Sequence, residues 1–224
     1  MKIRKIAITF ICLITLTLTF AACGSGSESE NMDTQSVTMS DGRMAVVITN
    51  QSPDEVLSVV QVKFNAYDAE GNPIENTMFH PRAAVVSIFP GESAVGANSF
   101  DEEDWEEQPD HMDYSIEKAR FGKGTRHVTV TDTSVNYGSN YNITIKNEGS
   151  EEADLQEGLF QFFAIFRDDD GKVTGVSDVY VEDLSEEPYP VMAAGEEINT
   201  TAEVNDVYSG TCQIVMTWLG VMTQ

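Results

Sequence analysis

Residues 59–71, VVQVKFNAYDAEG, decide the fold. Val60, Val62, Phe64 and Ala66 alternate with Gln61, Lys63, Asn65 and Tyr67. Successive side chains of a strand point to opposite faces, so this alternation predicts a strand with one face in a core and the other in water. Asp68 and Gly71 then supply what a hairpin turn needs: a side chain that bonds its own backbone and a residue that accepts a positive φ. At an offset of 100 the chain does this again, as LFQFFAIFRDDDG over residues 159–171. Phe160, Phe162, Ala164 and Phe166 take the core face, and Asp168 and Gly171 take the turn. Large and small residues trade places between the copies, as two separately packed cores permit.

The similarity extends along the chain. Val37 and Asp41 match Val128 and Asp132 at an offset of 91, Asn50 matches Asn147 at 97, and Gly91-Glu92 matches Gly195-Glu196 at 104. Offsets that rise in order mean loop insertions between corresponding strands of a duplicated unit. Tyr141, Ile143 and Ile145 alternate with polar residues, Ile214, Met216 and Trp218 recur at every second position near the C-terminus, and almost no segment has helical periodicity. Copies of about 90 to 100 residues with short strands predict an all-β chain of two tandem immunoglobulin-like antiparallel β-sandwich domains, at 36–122 and 127–224. An open Greek-key barrel is the alternative. The hinge Gly122-Lys123-Gly124-Thr125 is short, so the two domains should touch.

The chain opens with basic Lys2, Arg4 and Lys5, an apolar run from Ile6 to Phe20, and small residues before a cysteine. Residues 1–22 read as a secretory signal peptide. An uncleaved membrane-spanning helix is the other reading of the same run. Phe20-Ala21-Ala22-Cys23 resembles the lipobox of bacterial lipoproteins, with Phe20 where an aliphatic residue is usual. The resemblance implies cleavage before Cys23, acylation of its thiol, and residence on the extracytoplasmic face of the bacterial cell membrane, held there by lipid. Residues 23–35, rich in Gly, Ser and acids, read as a flexible tether.

The formal charge is −24, from 13 basic and 37 acidic residues. Loss of residues 1–22 removes three basic residues and no acidic one, which leaves −27. Such a charge repels polyanions and excludes nucleic acid as a partner. Of three cysteines, Cys12 lies in the signal and Cys23 is the lipidation site, so Cys212 has no disulfide partner and reads as a small buried hydrophobe.

Phe64-Asn65-Ala66-Tyr67-Asp68 resembles the signature of the FxLYD domain family, a phenylalanine, any residue, a leucine, then Tyr-Asp. Ala66 stands where that family has Leu, and the second copy keeps only Asp168 and Gly171 of the pattern. The resemblance implies a β-sandwich of bacterial and archaeal surface proteins and lipoproteins. It brings no catalytic or ligand residues.

Chemistry is sparse. Gly91-Glu92-Ser93-Ala94-Val95-Gly96 lacks the spacing of a nucleophile elbow. His80, His111 and His127 form no zinc-ligand pair. Paired acids in so acidic a chain carry no glycosidase signal. The reading is therefore a non-catalytic surface protein, without cofactor, that binds an envelope protein or polymer through its sandwich faces and acidic loops. A surface hydrolase would need a convergent polar pocket.

Three places stand out as contact or metal sites. Residues 101–113 carry eight carboxylates around Trp105, a candidate anchor. Phe163 and Ile165 lie on the face of their strand opposite the core, where Lys63 and Asn65 lie in the first copy. Two large apolar residues there need a cover: the first domain, a partner, or the C-terminal Leu219-Gly220-Val221-Met222. Asp168, Asp169 and Asp170 suggest calcium or another cation. However, an EF-hand loop alternates its ligands and ends in Glu at position twelve, which here is Val179, so the run reads as a hairpin tip.

Overall fold

A computed structural model describes residues 30–74, 79–80, 82–100, 109–124, 128–155, 160–184 and 190–220. Residues 1–22, read as a signal peptide, and Cys23, Trp105 and His127 lie outside the described residues. The first half contains β1 (Met32–Thr38), β2 (Met44–Asn50), β3 (Val56–Tyr67), β4 (Phe79–His80), β5 (Arg82–Ile88), β6 (Ser93–Ala97), β7 (Ser99–Phe100) and β8 (His111–Gly122). The second contains β9 (Val128–Tyr137), β10 (Asn140–Asn147), β11 (Ala153–Asp154), β12 (Phe160–Arg167), β13 (Val173–Val181), β14 (Val191–Met192), β15 (Glu197–Val204) and β16 (Thr211–Leu219). The described chain is an all-β, antiparallel sandwich fold without an α-helix.

The duplication holds for the six strands that build the two facing sheets of each half, whereas the two-residue pairs β4-β7 and β11-β14 fall at different points of the chain order. In the first half β1-β2-β6 face β8-β3-β5, and in the second β9-β10-β15 face β16-β12-β13. Met44, Val46 and Ile48 of β2 meet Val60, Val62 and Phe64 of β3 in one core. Tyr141, Ile143 and Ile145 of β10 meet Phe162, Ala164 and Phe166 of β12 in the other. The second half is the more closed. Strand β13 pairs β12 through residues 173–178 and β15 through 179–181, so one strand serves both sheets. Across the opposite seam, Trp218 Nε1 donates to the Val128 carbonyl at 2.8 Å and the Ile214 N–H donates to Thr133 Oγ1 at 3.3 Å.

Two buried asparagines fasten equivalent corners. Asn50 Nδ2 donates to the carbonyls of Glu55 (2.8 Å) and Ile88 (2.9 Å), and Oδ1 accepts from Ser52 N–H. Asn147 Nδ2 donates to Glu151 (2.8 Å) and Met192 (3.0 Å), and Oδ1 accepts from Gly149 N–H. The main chains of Asn50 and Asn147 exchange bonds with Gly91-Glu92 and Gly195-Glu196 respectively. Gly91 and Gly195 have φ of 79° and 77°, a conformation that favours glycine. Matching residues at unequal offsets are thus matching knots.

Strand β1 begins at Met32, inside the stretch 23–35 read as tether. The main chain of residues 32–38 pairs with β2, a bond set that needs no apolar side chains and leaves no hydrophobic pattern. Thr34 Oγ1 also bonds Tyr114 Oη at 3.0 Å, and Gln35 Oε1 accepts from Val173 N–H at 2.9 Å.

Asn50→Ala or Asn147→Ala removes the buried side-chain bond to the Ile88 or Met192 carbonyl together with the bond that Oδ1 accepts from the Ser52 or Gly149 N–H. Each substitution should cost about 2–4 kcal/mol, measured by urea unfolding; a cost below about 0.5 kcal/mol would contradict the assigned role.

Candidate contact surfaces

Each half has two outer sheet faces, and one from each half is buried against the other. Ala45 and Val47 of β2 and Val95 of β6 pack with Phe163 and Ile165 of β12, Val173 and Val176 of β13, and Val215 of β16. Phe163 and Ile165 are 1% and 0% exposed. They are core residues of the junction and offer no free contact surface. Their cover is the β1-β2-β6 sheet, since the C-terminal Leu219 and Gly220 instead extend the pairing with β5.

That pairing joins the sheets. Trp218 and Leu219 lie opposite Val86 and Val85, and Gly220 N–H donates to the Ala84 carbonyl at 3.0 Å, so β8-β3-β5-β16-β12-β13-β15-β10-β9 run as one nine-stranded sheet. Polar contacts ring the apolar contact. Arg43 binds Asp41 (2.7 Å) and, across the junction, Asp178. Ser40 bonds Asp206, and Val95 N–H donates to the buried Thr217 Oγ1 at 3.0 Å. A cavity of about 150 Å³ opens at the seam beside Ser87, Glu92, Thr129, Gln213 and Trp218. Ser87 has φ 59°, a conformation uncommon for a residue with a Cβ.

The aspartate run is a turn. Asp168 Oδ1 accepts the N–H groups of Asp170 (3.1 Å) and Lys172 (2.9 Å), and Gly171 turns at φ 79°. Asp68 Oδ1 does the same for Asn72 N–H at 2.7 Å, and hydrogen bonds from Asn72 hold the Asp68 carboxyl below the usual carboxylate range. Asp169 and Asp170 are exposed beside it. Among the described residues no three His, Cys, Asp or Glu side chains are grouped as metal ligands would be.

Cys212 is half-buried against the second core rather than fully enclosed. Burial pushes its thiol up, away from the reactive thiolate, although the bond with Tyr141 opposes this. Burial, and then the neighbouring Cys212, push the Tyr141 phenol up to about 12.

Two outer faces are left uncovered by the described residues. On β8-β3-β5, polar groups are largely paired with one another: Tyr67 stacks on His111 at 4.8 Å and donates to Asp113, Asn65 also donates to Asp113, and Arg82 binds Glu117 at 2.9 Å. On β9-β10-β15 lies a ladder of Ser, Thr and Asn. Sequence reasoning missed this second face because its members are scattered over residues 132–203 and only strand register assembles them.

No protein-family model, curated protein or solved structure matches the chain. Within the Phe-Asn-Ala-Tyr-Asp signature, Phe64 and Ala66 face the core, Tyr67 faces out and Asp68 caps the turn, so the five residues are accounted for by a strand and its end.

Phe163→Ala should destabilise the protein by about 3–5 kcal/mol and keep a single calorimetric transition, because the halves share the junction; two separated transitions would contradict it. The raised Tyr141 pKa gives a second expectation. Its stabilising effect is complete below the ordinary phenol range near 10 and is lost as pH rises toward 12. Urea midpoints should fall between about pH 10 and about 12, and Tyr141→Phe should remove a late-titrating phenol at 295 nm; an unchanged titration would overturn the assignment.

Proposed function

We propose that the chain is a non-catalytic, lipid-anchored protein of the bacterial cell surface that binds a partner through its open sheet faces. The observation that carries this reading is the division of its outer faces: two are buried in a junction that fixes the halves together, and two are left as broad polar platforms. A rigid platform on an anchor suits display and binding. The anchor is Cys23, by likeness to the lipobox. The two units are residues 36–122 and 127–224, with β1 added to the first, and the FxLYD family is the proposed kinship of the first unit. The partner is an envelope protein or polymer, and a charge near −27 disfavours polyanions among them.

Cys23→Ser in the native host tests the anchor. The variant should lose incorporation of labelled fatty acid and leave the membrane fraction for the medium; membrane retention equal to the parent's would overturn it.

A further inference from the structure

The β9-β10-β15 face carries rows of residues placed opposite each other across the strands. Ser134, Asn142 and Thr201 form one row, and Asp132, Thr144 and Asn199 the next. Within the second row Thr144 Oγ1 bonds Asn199 Oδ1 at 2.8 Å. Ser134, Asn142 and Thr201 bond to no other described side chain, so their amide and hydroxyl groups face solvent unengaged. A shallow depression of about 310 Å³ lies over these rows. A third row runs Tyr137, Asn140, Glu203, Tyr180 across β9, β10, β15 and β13. Its ends are two exposed aromatics, Tyr137 at 84% and Tyr180 at 46%. They are three strand spacings apart, about 14 Å.

The repeat makes this face distinctive. At the offsets that align the two knots, Asn142, Thr144, Asn199 and Thr201 replace Ala45, Val47, Val95 and Ala97, the residues that form the apolar junction in the first half. The second copy therefore presents hydrogen-bonding groups on the same surface that the first copy uses as a dry contact.

We propose that this face binds a neutral polysaccharide. This deepens the binding-module reading above and rests on it. A hydroxyl-rich chain matches a field of side-chain amides and hydroxyls, which donate and accept alike. The exposed tyrosines offer flat apolar rings for the C–H faces of sugars and a hydroxyl at the rim, at small entropic cost. A hexose repeat of about 5 Å matches the strand spacing of about 4.8 Å, so successive sugars cross successive strands between Tyr137 and Tyr180. A protein partner would need an apolar centre, and the ladder has none. Anionic polysaccharides are repelled by the net charge.

The test uses residues 24–224, which retain every described strand, in native gels containing glucomannan, xyloglucan, laminarin, dextran or glycol chitin, with polygalacturonate as the anionic control. At least one neutral polymer should retard the protein and polygalacturonate should not. Tyr137→Ala/Tyr180→Ala, with an unchanged melting temperature, should weaken the retardation at least tenfold, whereas Tyr67→Ala on the other open face should not. Retardation by none of the neutral polymers, or equal retardation of the double variant, overturns the proposal. So does binding to host cells that survives periodate oxidation but not protease, which would identify a protein partner. Because the test chain lacks Cys23, these outcomes are independent of the anchoring experiment.

Discussion

The burial of Phe163 and Ile165 beneath Val47 and Val95 is the contact on which the rest of the architecture depends. A sandwich half on its own would show water two outer faces and the edges of its sheets. The junction removes one apolar face from each half at once, and it brings β16 beside β5 so that two free edges become a ladder. Unpaired edges invite association, and pairing them within the chain closes that route. The Arg43–Asp178 ion pair and the Ser40–Asp206 bond lie around this apolar centre. Partly exposed as they are, such contacts set register more than they stabilise.

The two copies have diverged in opposite senses. Where the first copy has apolar Ala45 and Val47 on β2, the second has Asn142 and Thr144 on β10; where the first has Lys63 and Asn65 on β3, the second has Phe163 and Ile165 on β12. The contact is therefore heterologous, joining the β2 side of one copy to the β12 side of the other. Identical copies carrying both apolar faces would extend that contact from molecule to molecule. Polar residues at the two outward faces end the series after two units, as capping repeats do in solenoids. The same substitutions that end the series create the ladder assigned to polysaccharide binding.

Much of the fold was legible because each copy carries local signals that agree. The alternation of Val60 to Ala66 gave the core face, Asp68 and Asp168 gave the turns, and Asn50 and Asn147 marked corners that share one hydrogen-bond pattern. The strand face bearing Phe163 is legible as needing cover, with the first domain among three candidates, but which candidate covers it, and with which sheet, is not. A signal existed in Met44–Ile48, an unbroken apolar run, which means burial on both faces of β2. The start of β1 is hidden from the sequence for the opposite reason: main-chain pairing with β2 holds residues whose side chains are mostly polar. The tyrosine row was illegible because Tyr137 and Tyr180 meet in one row only through the registers of three strand pairs.

The central claim is that the halves form one body through the junction, and native-state amide exchange at the seam tests it most directly. Amides that pair β16 with β5, with Gly220 bonded to Ala84 beyond them, should exchange through the same global opening as the core strands β3 and β12. Their opening free energies should then respond to denaturant with the same slope. Exchange at the seam through a smaller, denaturant-insensitive opening, while both cores stay protected, would contradict the account and describe two independent domains.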